Sequence, residues 1–558
     1  MGAVATRFRA EVRDRARSWL GLVLLISLAG GVVMTAAAAA RRTDSAYSRF
    51  LRAERAADAS YTDDGQSGLP PLDFAAVARL PEVAASARGV IGYIHVGPGL
   101  AFLAPADGRY GSVIDRAKVL HGRLPRPDAV DELAASFTVA ERFGWTVGQS
   151  IPYSQNGADA EVAARNGLPG SFRLVGIVAA PAAFPPFTNG LPYLRATPAF
   201  YERYQAAGEL SGSRSASFEV RLRHGAADLP AFQAGVRRLA GGSPFVAFES
   251  NAELERAVHR SIHLQAEALW LLAGFAALAA LLVLVQALAR HCRAEAADHP
   301  TLGALGFTRA QLWSLGMARL TVLGAAAVVP AALVAVALSP LAPIGLARTA
   351  EPHPGVALDA TVLLLGAAVI LLFPAVVGVF PAWRAARVAK AEAGVPARPS
   401  RITAGLARAG LPPSAVAGSR MALEPGRSRG SAVQATVAGI SLGIAALAAA
   451  LTFGSGLSRL VSTPSLYGLR WDTYLTNYGS GPDWGPLAGP ALAAHPEIEA
   501  YTVGAVAGPV VIGGRPTGFV AIGDHRGNAF PPAVAGSMPD AADQIALASR
   551  TMRDLGTH

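Results

Sequence analysis

The chain has 558 residues, enough for several domains, and 52% of them are hydrophobic while only 16% are charged. An ordinary soluble domain carries roughly 25% charged residues, so this composition favours a membrane protein. The net charge of +10 does not indicate a nucleic-acid partner, because much of the basic excess lies beside apolar segments. The single cysteine, Cys292, excludes an intramolecular disulfide.

Five apolar stretches with little or no charge are each long enough to cross a bilayer core, which takes about 20 residues. They predict helices, because backbone groups in lipid must be hydrogen-bonded within the segment. A cleaved signal peptide is the alternative for the first stretch. Its apolar run is longer than the 7–15 residues of a usual signal peptide, so we interpret it as an anchor. The predicted transmembrane helices are 19–40, 266–290, 313–338, 360–381 and 432–457.

Arginines are concentrated before the first predicted helix and between the fourth and fifth, which predicts that both stretches are cytoplasmic. Arg41 and Arg42 oppose this orientation, whereas the alternation of five helices supports it. We therefore expect a multi-pass protein of the plasma (cell inner) membrane with a cytoplasmic N-terminus. The predicted segments are a cytoplasmic N-terminus at 1–18, an extracytoplasmic domain at 41–265, a cytoplasmic turn at 291–312, an external loop at 339–359, a basic cytoplasmic linker at 382–431 and a second extracytoplasmic domain at 458–558.

The first extracytoplasmic region contains short stretches of two different periodicities. Alternating apolar residues predict strands at 89–96, 172–178 and 218–222. Helical patterns occur at 131–143 and 252–263. The fold class predicted for the whole chain is a multi-pass α-helical membrane protein with mixed α/β extracytoplasmic domains.

The chain also repeats part of itself, which predicts an internal duplication. Each copy follows a long apolar helix, and its markers recur in the same order at nearly equal spacing. The second copy ends soon after its last marker. We therefore expect the natural sequence to continue past His558, and 458–558 to be an incomplete second domain. The matched markers are residues 80–83 with 495–498, Gly122 and Pro125 with Gly536 and Pro539, 131–134 with 543–546, and Gly144 with Gly556.

The turn between the second and third predicted helices carries signals for a short helix. Pro300 suits its first turn and Gly306 its end. Thr308 and Gln311 form a capping box that starts the next helix. Leu302 and Leu305 would share one apolar face. The turn is either a tight connection or a docking helix for a cytoplasmic partner.

Residues 299–312 resemble the "LRALG.s..Q" segment of FtsX-like ABC transporter permeases of the MacB and LolC type. Residues 381–387, with the sequence PAWRAAR, resemble that family's "P.wRAar" exit motif. The order of one helix, a large external domain and three further helices matches the family's layout, and residues 339–355 resemble the external loop of its actinobacterial members. Gly303 departs from the pattern, since the family often has Arg there, and this would weaken the contact with an ATPase.

The resemblance implies a permease subunit with a MacB-like periplasmic core and no catalysis of its own. A cytoplasmic ABC ATPase dimer would drive it, and mechanotransmission to the external domains would export or extract a lipid, lipoprotein or peptide. A second permease half or an extracytoplasmic protein would be a further partner beside the lipid bilayer. The resemblance assigns ATPase docking to Thr301, Leu302, Ala304, Leu305, Gly306 and Phe307, and a cytoplasmic exit motif to Pro381, Trp383, Arg384 and Arg387.

The residues themselves support the absence of catalysis. Gly-Lys-Ser/Thr does not occur, so the chain lacks a P-loop, and we expect ATP hydrolysis in a separate subunit. His259 and His263 are spaced to share a helical face, but no third ligand accompanies them, so we expect neither a metal nor a cofactor. A non-transport membrane sensor or scaffold, or a regulator of cell-wall hydrolases, remains the alternative.

Overall fold

The fold is taken from a computed structural model. It describes residues 16–63, 72–94, 96, 100–105, 107–153, 170–184, 193–206, 215–241, 248–296, 298–388, 430–467, 470–473, 485–512, 515–527 and 543–556, with scattered positions in 405–418 and 529–541. The predicted basic linker at 382–431 therefore lies largely outside the described residues. The chain divides into two compact units, one of residues 1–50 and 259–452 and one of residues 51–258 and 453–558.

Five helices among the described residues are long and apolar enough to cross a membrane, as the sequence predicts. Several continue well past the predicted apolar segment, because the flanking polar residues are also good helix formers. The five helices are α1 (Ala16–Ala53), α6 (Asn251–Ala296), α8 (Arg309–Leu338), α10 (Ala360–Val388) and α11 (Gly430–Ser462).

Four of these helices contribute to one apolar core in the first unit. Ile26 of α1, Leu288 of α6, Leu323 of α8 and Ile370 of α10 are all buried in it. At Gly324 the backbones of α8 and α10 approach closely, since a Cβ there would lie 2.7 Å from the carbonyl oxygen of Leu371. Among the side chains of α11 that the structure describes, none belongs to this core.

Residues 51–258 form a mixed α/β domain, as predicted. Its strands are β1 (Ala59–Asp63), β2 (Val83–Ile94), β3 (Leu100–Pro105), β4 (Lys118–Gly122), β5 (Glu132–Ser136), β6 (Ser150–Pro152), β7 (Ser171–Ala179), β8 (Leu194–Arg195), β9 (Ser215–Leu222) and β10 (Glu249–Ser250). Its helices are α2 (Phe74–Ala78), α3 (Phe137–Phe143), α4 (Pro198–Ala206) and α5 (Leu229–Leu239). The ten described strands form one sheet in the order β10-β1-β9-β2-β3-β8-β5-β7-β4, with β6 added on β7.

Apolar residues on this sheet pack against helices in two clusters. Phe218 and Val220 of β9 are buried with Phe232 of α5. Leu133 of β5 and Phe172 of β7 belong to a second cluster that also contains α4 residues. These contacts follow from the alternation of side chains along each strand.

The prediction of one helix over 131–143 is wrong. Residues 132–136 form the central strand β5, and the helix α3 begins only at Phe137. All five β5 side chains are buried, and the strand pairs with β7 on one edge and β8 on the other. Helix propensities differ by only a few tenths of a kcal/mol per residue, so this tertiary pairing overrides them. Ser136 then caps α3 by accepting the backbone N–H of Val139.

The other predicted elements are close to those observed. Predicted strands 172–178 and 218–222 lie within β7 and β9, and 89–96 overlaps β2, which ends at Ile94. The predicted helix 252–263 is the first part of α6.

The second region has fewer elements among its described residues. Helix α12 (Gly485–Ala493) precedes a two-stranded sheet of β11 (Tyr501–Ile512) and β12 (Arg515–Arg526), and α13 (Ser549–Leu555) follows. The guanidinium of Arg526 donates hydrogen bonds to the carbonyl oxygens of Ala493 and His495, both at 3.2 Å, and to that of Ile498. This side chain ties the end of α12 to the hairpin.

Candidate functional site

The predicted signals of the turn between α6 and α8 are confirmed. A short helix, α7 (His299–Ala304), begins with Pro300 in its first turn. Gly306 has a left-handed φ of +91°, which lets the chain leave the helix sharply. The capping box is complete, since the N–H of Thr308 donates to Oε1 of Gln311 at 2.9 Å and the N–H of Gln311 donates to Oγ1 of Thr308 at 3.3 Å.

The expectation that Leu302 and Leu305 present one apolar face is corrected by their exposure. Leu302 is only 6% exposed and packs on Leu312 and Phe307 beneath the turn. Leu305 is 74% exposed. The reason is that α7 ends at Ala304, and Gly306 then returns the chain so that the N–H of Phe307 donates to the carbonyl oxygen of Leu302. The outer surface of the turn includes Thr301, Gly303, Ala304, Leu305 and Gly306.

A buried ion pair joins the two helices that flank the turn. Arg319 of α8 donates from Nη1 to Oε2 of Glu295 near the end of α6 at 2.8 Å, and both side chains are buried. Nε2 of His291 lies 3.0 Å from the other carboxylate oxygen of Glu295. The sequence patterns do not predict this pair. An arginine at the edge of an apolar helix was the available signal, because such a charge needs a partner when it is buried.

The exit motif packs against the same end of α8. Ala382 is buried and faces Gly316, where a Cβ would lie 3.5 Å from the Ala382 Cβ. Trp383 is exposed, and its ring lies 6.0 Å from that of Phe380. The side chains of Pro381, Arg384 and Arg387 lie outside the described part of the structure. The exit motif therefore contacts α8 four residues beyond the turn motif, which ends at Leu312.

A second polar cluster joins α1 to the segment between α8 and α10, which contains the short helix α9 (Gly345–Ala350). Arg42 donates to the carbonyl oxygens of Ser339, His353 and Gly355 at 3.1, 2.8 and 2.8 Å. Arg49 donates to the buried carboxylate of Glu351 at 2.6 Å.

This cluster also explains the two arginines that opposed the predicted orientation. Arg41 pairs with Asp359 at 3.0 Å, and Nε of Arg42 lies 3.5 Å from Glu351. Both charges thus have acidic partners in the structure, and they need not mark a cytoplasmic flank.

The two histidines considered as metal ligands stack on one helical face with ring centroids 5.9 Å apart. Nδ1 of His263 lies 2.8 Å from Asp44 and Nε2 lies 3.3 Å from Glu267. Among the described residues no group of three or more His, Cys, Asp or Glu side chains is placed to hold a metal ion.

Comparisons with known proteins find similarity among solved structures. No protein-family model and no curated protein matches the chain. Among solved structures, the chain is similar to the extracellular domain of the noncanonic ABC-type transporter YknZ from Gram-positive bacteria. The match has 12% sequence identity and a TM-score of 0.21, and it covers 33% of this chain and 91% of that one.

Proposed function

We propose that the chain is the permease subunit of an FtsX/MacB-type ABC transporter. In this proposal a separate cytoplasmic ATPase dimer docks on the α6–α8 turn. Its motion is transmitted to domains outside the membrane, which export or extract a lipid, lipoprotein or peptide. Support comes from the five membrane-capable helices, the mixed α/β domain and the contact of the exit motif with α8 close to the turn motif.

The observation that carries the proposal is an exposed leucine on a firmly held turn. Leu305 is 74% exposed, although full burial of a leucine side chain stabilises by about 1.5–3 kcal/mol. The backbone around Leu305 is held in place by the capping box at the start of α8 and by the Glu295–Arg319 pair between α6 and α8. A partner that covers Leu305 would therefore push directly on α6 and α8.

The other polar cluster supports a route for the motion. Arg42 and Arg49 tie α1 to the segment that connects α8 with α10, so these helices would move together. Within the α/β domain, a hydrogen bond joins the segment after α1 to the start of α6. Nδ2 of Asn251 donates to the carbonyl oxygen of Ala57 at 2.9 Å. Displacement of the two helices would reach the sheet at one point.

We also propose that the region after α11 arose by duplication of the α/β domain. The support is local conformation at the matched sequence markers. Gly122 and Gly536 both have a φ of +74°, and Gly144 and Gly556 have φ values of +65° and +67° at the ends of α3 and α13.

Co-purification tests the proposed partner. The full chain, affinity-tagged in its native membrane, should retain an ATPase that contains a P-loop. Leu305→Asp should abolish this association and leave membrane insertion intact. Leu358→Asp is the matched control, because Leu358 is 71% exposed but lies in the segment before α10. Retention of the ATPase by Leu305→Asp, or its loss from both variants, would refute docking at this turn. If no ATPase is retained even by the parent chain, the sensor or scaffold alternative is favoured.

Cysteine labelling tests the proposed orientation. In a Cys292→Ala background, Arg237→Cys on α5 and Thr301→Cys on the turn place single thiols at exposed positions. We expect an impermeant maleimide to label position 237 but not position 301 in intact cells. The reverse pattern would overturn the assignment of the turn to the cytoplasm.

A further inference from the structure

Three arginines of the α/β domain converge on one carboxylate. Glu132, at the start of β5, is 0% exposed because their guanidinium groups cover it. Arg123 donates to both carboxylate oxygens, at 2.6 and 2.7 Å, and Arg173 of β7 donates to Oε1 at 3.0 Å. Arg126 donates its backbone N–H to Oε2 at 2.9 Å, and its Nε lies 3.3 Å from Oε1. We call Arg123, Arg126 and Arg173 the arginine triad.

The triad carries more positive charge than Glu132 neutralises. One carboxylate faces three guanidinium groups, so the cluster has an excess of two positive charges. Among the described residues, neither Arg126 nor Arg173 forms an ion pair with any other acidic group. The neighbouring acids in sequence, Asp128 and Asp131, are exposed and form no ion pair with the triad. One arginine would be enough to neutralise the charge of Glu132.

The unused donors of the triad face solvent. A guanidinium has five N–H donors, and the described contacts of Arg126 and Arg173 with Glu132 use one nitrogen from each side chain. The side chains of Arg123, Arg126 and Arg173 are 48%, 61% and 52% exposed. Glu132 thus fixes the inner edges of the guanidinium groups, while their outer edges stay open. Such pre-organisation lowers the entropy lost when a ligand binds.

Hydroxyl groups extend the same surface. Ser150 of β6 lies opposite Arg173 in the sheet, and Ser171 lies two residues before it on the same face of β7. The two hydroxyls are 2.9 Å apart and exposed. The surface therefore combines guanidinium forks with hydroxyls.

We propose that the arginine triad binds a phosphate group, either free or as the phosphodiester of a lipid headgroup. Tetrahedral phosphate oxygens match the fork geometry of arginine, and charge-assisted hydrogen bonds of this kind are about twice as strong as neutral ones. A phosphate would also neutralise the excess charge that Glu132 leaves. This binding does not depend on the proposed transport function, since it involves only residues of the α/β domain.

Calorimetric titration of the full chain in an uncharged detergent tests this site. The probes are inorganic phosphate and the water-soluble diester dihexanoylphosphatidylglycerol. The parent chain should bind at least one probe, and Arg126→Gln/Arg173→Gln should bind it at least about tenfold more weakly. This double variant keeps the Arg123–Glu132 pair, so Glu132 remains partnered. Arg237→Gln removes an exposed arginine elsewhere in the domain and should leave the affinity unchanged.

The results distinguish a lipid headgroup from free phosphate as the source of the bound group, and they also test the site itself. Tighter binding of the diester would identify a lipid headgroup as the source, and tighter binding of inorganic phosphate would identify the free anion. Arg126→Gln alone, which removes the most exposed member, should weaken binding without lowering the unfolding temperature. Equal affinities of the parent and the double variant, an equal loss in Arg237→Gln, or no binding of either probe would overturn the proposal.

Discussion

The α/β domain and the region after α11 share their local conformations but differ in burial. Helices α3 and α13 both end at a left-handed glycine, Gly144 and Gly556. Just before them the regions diverge. Leu133 is 0% exposed in strand β5, whereas Ile545, which has the matching position in sequence, is 61% exposed and lies in no strand. Glu132, which holds the arginine triad, is matched by Gln544.

This difference separates two sources of structure. The end of a helix at a left-handed glycine depends on residues nearby in sequence, and such an end forms in both regions. Strand β5 depends on pairing with β7 and β8, which come from residues distant in sequence. Among the described residues of the second region, residues 543–548 have no such flanking strands, and they stay outside any strand.

Limited proteolysis should show the largest contrast between the two regions. Among residues 485–556 whose exposure is described, Ala529 is the only buried hydrophobic side chain, so little apolar burial opposes local opening. We expect cleavage within 458–558 well before cleavage within 51–258. Equal resistance, measured by mass spectrometry of the fragments, would show that the second region is as firmly packed as the first.

Truncation of the matched apolar residues should also give unequal effects. Leu133→Ala should destabilise the α/β domain by about 2–5 kcal/mol, because it leaves a cavity in the core. Ile545→Ala should change stability by less than about 0.5 kcal/mol, because the side chain is mostly exposed. Hydrogen exchange of peptides that cover 132–143 and 544–555 would measure both. Similar costs at the two positions would contradict the comparison.

Glu132, which is matched by Gln544, predicts a pH-dependent stability in the α/β domain only. Hydrogen bonding from Arg123, together with the N–H of Arg126 and the nearby positive charges, lowers the pKa of Glu132 from 4.5 to about 2. A lowered carboxyl pKa contributes stability above the unfolded pKa, and this stability is lost as the pH falls from about 4.5 towards 2. Glu132→Gln should make the free energy of unfolding of the α/β domain depend less on pH in this acid range. An unchanged pH dependence in this range would show that the Glu132 carboxylate does not govern stability in acid.

The smallest contrast concerns the helix caps. Ser136 caps α3 with its hydroxyl, whereas Ala548 has no side-chain hydrogen bond at the start of α13. Ser136→Ala should cost about 1 kcal/mol, and Ala548→Ser should stabilise α13 by a comparable or smaller amount. Hydrogen exchange of the first amides of each helix checks both changes. Greater stability in Ser136→Ala, or lower stability in Ala548→Ser, would contradict the assigned caps.

The same distinction explains how much the sequence could predict. Length and apolar composition predicted the five long helices, and the turn chemistry of Pro300, Gly306 and Thr308 predicted the ends of α7 and the start of α8. The burial of Leu302 could not be predicted from helical spacing, because it depends on the return of Phe307 and on contact with Leu312. The arginine triad was also missed, since Arg173 joins Glu132 only through the pairing of β5 with β7.

Site-specific photo-crosslinking tests the proposed docking turn most directly. A photoreactive amino acid replaces Leu305 or, as the control, Leu358, which has nearly the same exposure, 71% against 74%. After irradiation of native membranes, position 305 should form an adduct with an ATPase that contains a P-loop, and position 358 should not. An adduct absent from position 305, or equally abundant at both positions, would contradict the assignment of this chain as a permease driven through the α6–α8 turn.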